Sequence, residues 1–429
     1  MRILWVKIGG LWPLNSGGRL RSFNLLRELS GEHAITVVTT REKDCPHGML
    51  RRQLPACREI IEIPYRPVKR GDTRFPFVVA KSWVTGMPID MQRARVPELG
   101  ATVKSRLETG GFDLCLADFL CALPNIPLDG DVPVVLFEHN VEHMIWKRLA
   151  RARGIGPSRM VLENEWRRVR RYEKRACERV ERTVTVSHAD RDLLHKMVPD
   201  ASIFAVPTGV DTLYFSPRPE VCERKEVVFV GSMDWYPNED AMRWFVAEAL
   251  PALRRRVPDV AVTVVGRNPS PKFTRDMQVH GVHVTGTVAD VRDFLARAAV
   301  CVVPLRIGGG TRLKIFEGLA MGKATVTTTV GAEGLPLVDG RHVVFADRAP
   351  DFAERIAGLI FDAARRKQLG EAGRDLVVKR YAWRRVAEEF ALLCQTSCAR
   401  RIPAGMPDDQ ERTSPARPKA SRRADYYTP

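Results

Sequence analysis

The chain has 429 residues, which is longer than a single hydrophobic core usually grows, so its length predicts two domains. Its hydrophobic content of 45% suits ordinary globular cores, and no run of about 18 apolar residues predicts a membrane-spanning helix. The formal net charge of +17 predicts anionic partners: nucleotide phosphates, acidic lipid head groups or nucleic acid. The nine cysteines contain no C-x-x-C pair, which favours buried thiols over a metal site or a disulfide framework.

The chain opens with a predicted βαβ unit. A short apolar run broken by glycine predicts a strand at 2–8 rather than a signal peptide, and therefore a cytoplasmic protein. A loop at 9–18, a helix at 19–29 and a strand at 34–40 follow. Since parallel sheets bind ligands at the carboxyl ends of their strands, Gly17 and Gly18 are candidates for contact with an anion. A glycine turn that serves only packing explains them equally well.

The segment 45–111 has a less regular pattern, with a short strand predicted at 60–63 and helices on either side of Met87, and it carries no functional prediction. A predicted strand at 133–137 then ends in a cluster of titratable and polar residues: Glu138, His139, Asn140, Glu142 and His143. Such clusters at strand ends are where doubly wound sheets place function, so a site role is favoured for His139. A purely structural histidine is the alternative.

An arginine-rich helix is predicted at 158–182, where proline and glycine are absent. Its apolar stripe predicts packing against the N-terminal sheet. Its charged face either binds an anionic membrane surface or is only solvated. The cations concerned are Arg167, Arg168, Arg170, Arg171, Lys174 and Arg175.

A second βαβ unit is predicted at 300–329, where a glycine cluster at 308–310 separates a buried strand from a helix. Glycines allow close approach of a ligand to the backbone, and the helix N-terminus attracts anions. The first helical turn adds the cations Arg312 and Lys314, and Glu317 shares a face with Lys314 and can accept hydrogen bonds from sugar hydroxyls. Phosphates beside sugar hydroxyls favour a nucleotide sugar, although a solvated charged face is an alternative.

The stretch GGGTRLKIFEGLAMGKATVTTTVGAEGL resembles the donor-binding core of the retaining glycosyltransferases of family four. The resemblance implies an α/β protein with the GT-B fold, in which two facing Rossmann-like domains enclose an interdomain cleft. In that family two glutamates eight residues apart frame the loop and helix. Glu317 corresponds to the second, which holds the nucleotide ribose, whereas Gly309 stands at the first. This glycine-rich GGGTRLK loop resembles that of exopolysaccharide-associated sugar transferases.

The resemblance also implies a set of site residues. The expected catalytic residues are His139, Arg312 and Lys314. The expected donor-binding residues are Gly17, Gly18, Gly231, Gly266, Gly309, Gly310, Thr311, Glu317 and Glu333. Many family members carry a phosphate-binding arginine just after the glycine that matches Gly231, but Ser232 and Met233 stand there. Arg312, Lys314 and the helix N-terminus are therefore expected to neutralise the charge of the diphosphate. No metal or cofactor is expected, because no D-x-D pair follows a strand as in metal-using transferases.

The expected domain organisation has five parts. Residues 1–211 form the acceptor-side Rossmann-like domain, 212–225 a linker, 226–382 the nucleotide-sugar-binding Rossmann-like domain, 383–399 a crossover helix and 400–429 a disordered basic tail.

The resulting functional prediction is a metal-independent, retaining hexosyltransferase that uses a nucleotide diphosphate sugar. A lipid-linked or polysaccharide intermediate of exopolysaccharide biosynthesis is the expected acceptor, and the inner membrane is an expected place of peripheral attachment. The alternatives are a basic nucleic-acid-binding protein and a nicotinamide-dependent oxidoreductase. They are disfavoured because no nucleic-acid-binding motif accompanies the arginine-rich helix and no G-x-G-x-x-G fingerprint occurs.

Overall fold

A computed structural model describes residues 1–14, 16–42, 46–69, 71–151, 156–307 and 313–399. These residues form two compact units, each built on a parallel sheet. The first unit contains Met1–Thr185, Asp190–Phe204 and, among the described residues, 389–399. The second contains Val186–Ala189 and Ala205–Glu388.

The first sheet has seven strands in the order β3-β2-β1-β4-β5-β6-β7. Their bounds are β1 Arg2–Lys7, β2 Ala34–Arg41, β3 Glu59–Pro64, β4 Leu114–Asp118, β5 Val134–Glu138, β6 Arg182–Thr185 and β7 Ile203–Ala205. In the register of the central strands, Lys7 lies opposite Asp118, and Asp118 lies opposite Phe137. The last residues of β1, β4 and β5 therefore meet at one edge of the sheet.

Helices cover both faces of this sheet. Their bounds are α1 Gly17–Leu29, α2 Met49–Gln53, α3 Phe75–Thr85, α4 Ile89–Arg93, α5 Pro97–Thr109, a 3-10 helix at Leu120–Asn125, α6 Glu142–Arg151, α7 Pro157–Arg179 and α8 His188–Met197. Apolar residues of the strands, such as Leu4, Val6 and Leu136, pack in one core cluster with Leu99 and Val103 of α5.

The second sheet has six strands in the order β10-β9-β8-β11-β12-β13. Their bounds are β8 Arg224–Val230, β9 Ala261–Val265, β10 His283–Val284, β11 Ala298–Val303, β12 Thr325–Thr327 and β13 Val344–Phe345. The helices are α9 Tyr236–Trp244, continued by a π-helical turn at Phe245–Ala249, then α10 Leu250–Arg256, α11 Pro271–Val279, α12 Arg292–Arg297, α13 Leu313–Ala320, α14 Ala349–Phe361 and α15 Ala363–Arg380. The last helix, α16 Trp383–Ala399, begins in the second unit and continues from Glu389 as part of the first. Because neighbouring strands run parallel, the loops after β8, β9, β11 and β12 lie along one edge.

One expectation about the N-terminal loop needs correction. Gly17 and Gly18 are the first two residues of α1, and Ser16 caps this helix by accepting a hydrogen bond from the Arg19 backbone N–H at 3.4 Å. The predicted start at residue 19 was late because glycine has a low helix propensity, which matters less in the first turn after a serine cap.

Candidate functional site

Two glycines bring the loops after β8 and β9 into backbone contact. A Cβ atom on Gly266 would lie 1.8 Å from the carbonyl oxygen of Gly231, so a larger residue at 266 would separate the loops. The Gly231 backbone N–H donates to the Val265 carbonyl at 2.9 Å. The structure thus explains Gly266 by this close approach, and its predicted role in donor binding stays a prediction.

Lys314, in the first turn of α13, lies beside these loops. Its Nζ atom donates to Asn238 Oδ1 at 2.5 Å and lies 4.4 Å from the centre of the Phe229 ring. A Cβ atom on Gly231 would lie 2.9 Å from Lys314 Nζ. The buried Asn238 amide also donates to the Ser232 carbonyl at 2.7 Å, which fixes its oxygen toward the lysine. One cation is therefore held at the carboxyl end of the sheet and at a helix N-terminus, a favourable place for an anion.

Glu317 follows Lys314 by one helical turn, so the two side chains share a face of α13. Burial raises the pKa of Glu317 to about 7, and the nearby Lys314 ammonium opposes this rise. The residue as a whole retains partial solvent exposure. Glu333 is exposed in a turn after β12, along the same edge of the sheet.

Part of the predicted donor loop cannot be placed. Gly309, Gly310, Thr311 and Arg312 lie outside the described residues. Within the ranges that the structure describes, no group of three or more His, Cys, Asp or Glu side chains is arranged to hold a metal ion.

A second cluster lies in the first unit, at the carboxyl ends of β1, β4 and β5. Lys7 Nζ is 3.2 Å from Asp118 Oδ2, and Trp5 Nε1 donates to the same oxygen at 2.9 Å. His139 Nε2 is 2.8 Å from Asp118 Oδ1. All of these side chains are buried, so Asp118 links a lysine and a histidine in a dry environment.

Burial and charge set the protonation of this cluster. Burial lowers the pKa of His139 to about 3, although Asp118 opposes the shift, so the imidazole is neutral near pH 7. Burial also lowers the pKa of Lys7, again against the effect of Asp118. Burial would raise the pKa of Asp118, but Lys7 and His139 more than compensate and lower it. The arrangement combines an ionised carboxylate with a neutral imidazole.

Aromatic packing fixes the imidazole of His139. The Phe119 ring stacks on it with centroids 3.8 Å apart, and the Phe137 ring lies at 4.3 Å. Phe119 has a φ of 77°, a strained conformation of the kind that concentrates at functional sites. A Cβ atom on Gly18 would lie 2.5 Å from Phe119 Cζ, so α1 packs here only because residue 18 is glycine. This contact supports the packing interpretation of Gly18, whereas the space around a Cβ on Gly17 is open.

Sequence reasoning did not single out Lys7, Asp118 or Asn238 as site residues. A weak signal existed for two of them, because a lysine and an aspartate end otherwise apolar strands, where charged residues are expensive to bury. Asn238 had no comparable signal, since only the fold brings the first turns of α9 and α13 together.

The predicted charged face of α7 also needs one correction. Arg168 is only 8% exposed, pairs with Glu165 at 2.9 Å and donates to the Met87 carbonyl at 2.7 Å, so it is a structural residue. The five other cations predicted to form this face, Arg167, Arg170, Arg171, Lys174 and Arg175, are exposed. None of the described helices is both long enough and apolar enough to cross a bilayer.

Comparisons with known families match both halves of the chain. Residues 16–213 match the model described as glycosyltransferase family 4, and residues 224–362 match the model described as glycosyl transferases group 1. The chain carries the two domains of a GT-B glycosyltransferase. The fold comparison agrees, since a sucrose-phosphate synthase from Thermosynechococcus elongatus superposes with a TM-score of 0.64 at 16% identity, covering 93% of this chain and 99% of that one. The Anabaena protein HepE in complex with UDP and glucose gives a TM-score of 0.60 at 12% identity over 92% of this chain and 100% of that one.

Curated relatives of this chain include mannosyltransferases. A GDP-mannose-dependent alpha-(1-6)-phosphatidylinositol monomannoside mannosyltransferase of Mycobacterium tuberculosis is 30% identical over 45% of this chain and 56% of its own length. An MMP alpha-(1->4)-mannosyltransferase of Mycolicibacterium hassiacum is 29% identical over 56% of this chain and 60% of its own length. The chain thus matches less than two thirds of the length of these relatives.

Proposed function

We propose that this protein moves a sugar from a nucleotide diphosphate donor to an acceptor, with retention of anomeric configuration and without a metal ion. The observation that carries the proposal is the position of Lys314, fixed by Asn238 beside Gly231 at the start of α13. The names of the relatives support it, because HepE is described in complex with UDP and glucose, and two mannosyltransferases are among the similar proteins.

In this mechanism the second unit binds the donor and receives the leaving group. When the bond between the anomeric carbon and the phosphate oxygen breaks, negative charge develops on the departing diphosphate. A cation that is already fixed at this place stabilises that charge without reorganisation, and the N-terminal N–H groups of α13 add to the effect. We assign this role to Lys314, which lies among the described residues, and propose Arg312 as a second cation.

The remaining donor contacts are proposed from the same edge of the sheet. Glu317 accepts hydrogen bonds from the ribose hydroxyls, and it is best at this when ionised. Gly231 leaves room for the phosphates next to Lys314. The other residues proposed to contact the donor are Gly266, Gly309, Gly310, Thr311 and Glu333 of the second half of the chain, and Gly17 and Gly18 of the first.

His139 is proposed to act on the sugar from the first unit. Its Nε2 lies 2.8 Å from Asp118 Oδ1, and neither ring nitrogen has a geometrically formed hydrogen bond among the described residues. A buried polar atom without a partner is unfavourable unless a ligand satisfies it, so a hydroxyl group of the donor or acceptor would suit this position.

We further propose a lipid-linked or polysaccharide acceptor, used in exopolysaccharide biosynthesis at the inner face of the membrane. Two relatives support this: the phosphatidylinositol monomannoside transferase and a Klebsiella pneumoniae protein from the cps region, which is 22% identical over 30% of this chain and 36% of its own length. The exposed cations of α7 would attract acidic head groups, although Arg167 and Lys174 each lie 3.3 Å from a glutamate that offsets part of their charge.

The test is the shift in melting temperature caused by nucleotides. UDP, GDP or ADP should stabilise the protein, because a ligand that binds only the folded state raises its stability. Lys314→Ala should weaken this response, whereas the control Lys272→Ala, at an exposed lysine of α11, should not. A response to NAD or NADP alone would favour an oxidoreductase, and a response to nucleic acid alone would favour a nucleic-acid-binding protein.

A further inference from the structure

Helix α3 carries an apolar sequence, FPFVVAKSWVT, yet lies on the surface of the first unit. Phe77, Trp83 and Val84 are 77%, 64% and 88% exposed, and Ser82 is the one buried residue of the helix. Scattered exposed apolar residues are normal, but a contiguous exposed group marks a surface that binds something. None of the residues proposed above for sugar transfer lies on this helix.

The exposure of α3 is not a consequence of a loose attachment. Arg168 on α7 donates to Ser82 Oγ at 2.9 Å and to the Met87 carbonyl at 2.7 Å, which secures the C-terminal end of α3. Glu165 pairs with this arginine at 2.9 Å and accepts from the Ile89 backbone N–H at 2.5 Å. A buried ion pair therefore holds the helix in place while its apolar side chains face outward.

An apolar cavity of about 460 Å³ lies on one side of α3. Helix α3 contributes Phe75, Val79 and Trp83, which are spaced four residues apart and share one face. Trp146 of α6 and the exposed Met160 and Val161 of α7 extend the apolar wall. The lining also includes Asn164 and the charged Asp90, Arg93 and Glu165, whose charges are paired, Asp90 with Arg93 and Glu165 with Arg168. The size and lining suit hydrocarbon.

A basic cavity of about 580 Å³ lies on the other side of the same helix. Five cationic residues line it: Arg66, Arg74, Lys81, Arg93 and Arg95. No acidic side chain is among its lining residues, all of which are described. Arg74 and Arg93 pair with Asp72 and Asp90 at 2.7 and 2.9 Å, which leaves the cavity with a net positive charge. This lining suits phosphate.

We propose that α3 docks on an anionic lipid bilayer, with its apolar side chains among the acyl chains and the basic cavity on the lipid phosphates. The inference rests on the proposed function, since a lipid-linked acceptor is met at a bilayer. Charge complementarity favours this occupant: an acidic lipid offers hydrocarbon and phosphate side by side, as the two cavities do. A nucleic acid or an acidic polar protein would leave Phe77, Trp83 and Val84 in water.

Co-sedimentation of the full chain with vesicles tests the docking. The protein should pellet with phosphatidylcholine vesicles that contain 30% phosphatidylglycerol, and less so with pure phosphatidylcholine. Phe77→Ser/Trp83→Ser/Val84→Ser should reduce the partition coefficient at least tenfold, because it removes the apolar side chains that would enter the acyl region. The core should stay intact, since all three side chains are exposed. The matched control is Val279→Ser/Phe361→Ser, which alters exposed apolar residues of the second unit and should bind like the wild type.

A charge variant distinguishes membrane binding through α3 and the basic cavity from membrane binding through α7. Arg66→Gln/Lys81→Gln/Arg95→Gln should lower binding severalfold and flatten its salt dependence, whereas Lys272→Gln/Arg275→Gln/Lys367→Gln should not. Vesicles with brominated acyl chains should quench a tryptophan signal that is lost in Trp83→Phe. The proposal would be overturned if binding survives both the apolar variant of α3 and the charge variant of the basic cavity but is lost when the five exposed cations of α7 become Gln. So would equal binding to neutral vesicles, or no binding at all.

Failure of this inference and failure of the proposed function give different results. If vesicles do not bind but a nucleotide sugar is consumed, the docking surface is wrong and the sugar transfer stands. If vesicles bind through α3 but no nucleotide sugar is consumed, the docking surface stands and the proposed reaction is wrong.

Discussion

Lys314 shows how single contacts prepare a residue for charge stabilisation. The Asn238 amide and the Phe229 ring both hold its ammonium group beside Gly231. In the proposed reaction the lysine would need little rearrangement to meet a diphosphate, and preorganised charge is often the largest single contribution to catalysis.

The first prediction concerns the removal of this cation. Lys314→Ala should lower kcat by about a hundredfold, since the loss of one preorganised group commonly has this effect. The measurement is steady-state kinetics of nucleoside diphosphate release, with Lys272→Ala as a control for loss of an exposed lysine. A rise in KM with unchanged kcat would instead mean uniform phosphate binding.

Glu317 should make donor binding depend on pH. Its pKa of about 7 means that the carboxyl group ionises as the pH rises through neutrality, and the ionised form accepts hydroxyl hydrogen bonds better. KM for the donor should therefore fall as the pH rises through about 7. Glu317→Gln should give a high KM that no longer changes with pH, while the exposed Glu354→Gln keeps the wild-type profile. An unchanged KM and turnover in Glu317→Gln would remove this residue from the site.

His139 is predicted to affect turnover and not nucleotide affinity, because the nucleotide contacts are assigned to the second unit. His139→Ala should lower kcat while the dissociation constant of the nucleoside diphosphate stays nearly unchanged. The control for lost stability is Cys115→Ala, which shortens a buried side chain on the neighbouring strand β4. If His139→Ala lowers only the melting temperature, the histidine is a packing residue.

Sequence spacing was sufficient to predict Lys314 and Glu317 as neighbours, because residues three apart on a helix share a face. It was not sufficient for Lys7, Asp118 and Asn238. No spacing within its own strand or helix links any of them to its partner, and only the tertiary fold brings the partners together. Local periodicity carries no information about strand order.

At the scale of elements, the end of β5 packs against α6 and α7 through buried acids. Glu173 accepts a hydrogen bond from the Glu142 backbone N–H at 2.6 Å and contacts His143 Nδ1. Burial, followed by the charge of Glu173, raises the pKa of Glu142 to about 7 and that of Glu138 well above its ordinary 4.5. The folded state therefore holds protons that the unfolded chain releases above pH 4.5.

This cluster predicts how stability changes with pH. A carboxyl group with a raised pKa stabilises the fold fully below pH 4.5, and this contribution is lost as the pH rises toward its folded-state pKa. Glu138→Gln should remove much of that loss, so its free energy of unfolding should exceed the wild type's at pH 8 by roughly 1–3 kcal/mol. Urea titrations at pH 4.5 and pH 8 measure this, with the exposed Glu178→Gln as the control. A variant that is less stable than wild type at pH 8 would contradict the prediction.

Elements with a clear period were predictable, and elements without one were not. The opening βαβ unit, the long helix α7 and the strands β5, β8 and β9 follow from apolar patterns, and the structure confirms them. Helices were predicted on both sides of Met87, where α3 and α4 lie, but without bounds, because α3 is apolar on several faces and has no stripe to recognise. The strand β13 was not predicted, since it has only two residues. The prediction for α7 failed at Arg168, because a cation in an arginine-rich segment gives no sign that its partner is a distant carbonyl.

At the scale of the whole molecule, length and resemblance were enough to predict the GT-B fold. Solved structures that are only 12–16% identical share this fold, so most residues are free to vary while the sheet topology persists. Substrate choice depends on a few loop residues instead. Four of the residues predicted to contact the donor, Gly309 to Arg312, lie outside the described residues.

The measurement that tests the proposed function most directly is a panel of nucleotide sugars, including UDP-glucose, UDP-N-acetylglucosamine, GDP-mannose and ADP-glucose. Nucleoside diphosphate release is recorded with and without EDTA, and NMR identifies the anomer of the product. We predict release from at least one donor, unaffected by EDTA, with a retained anomer and about a hundredfold lower rate in Lys314→Ala. No release from any donor by folded protein, or an unchanged rate in Lys314→Ala, would contradict the proposal.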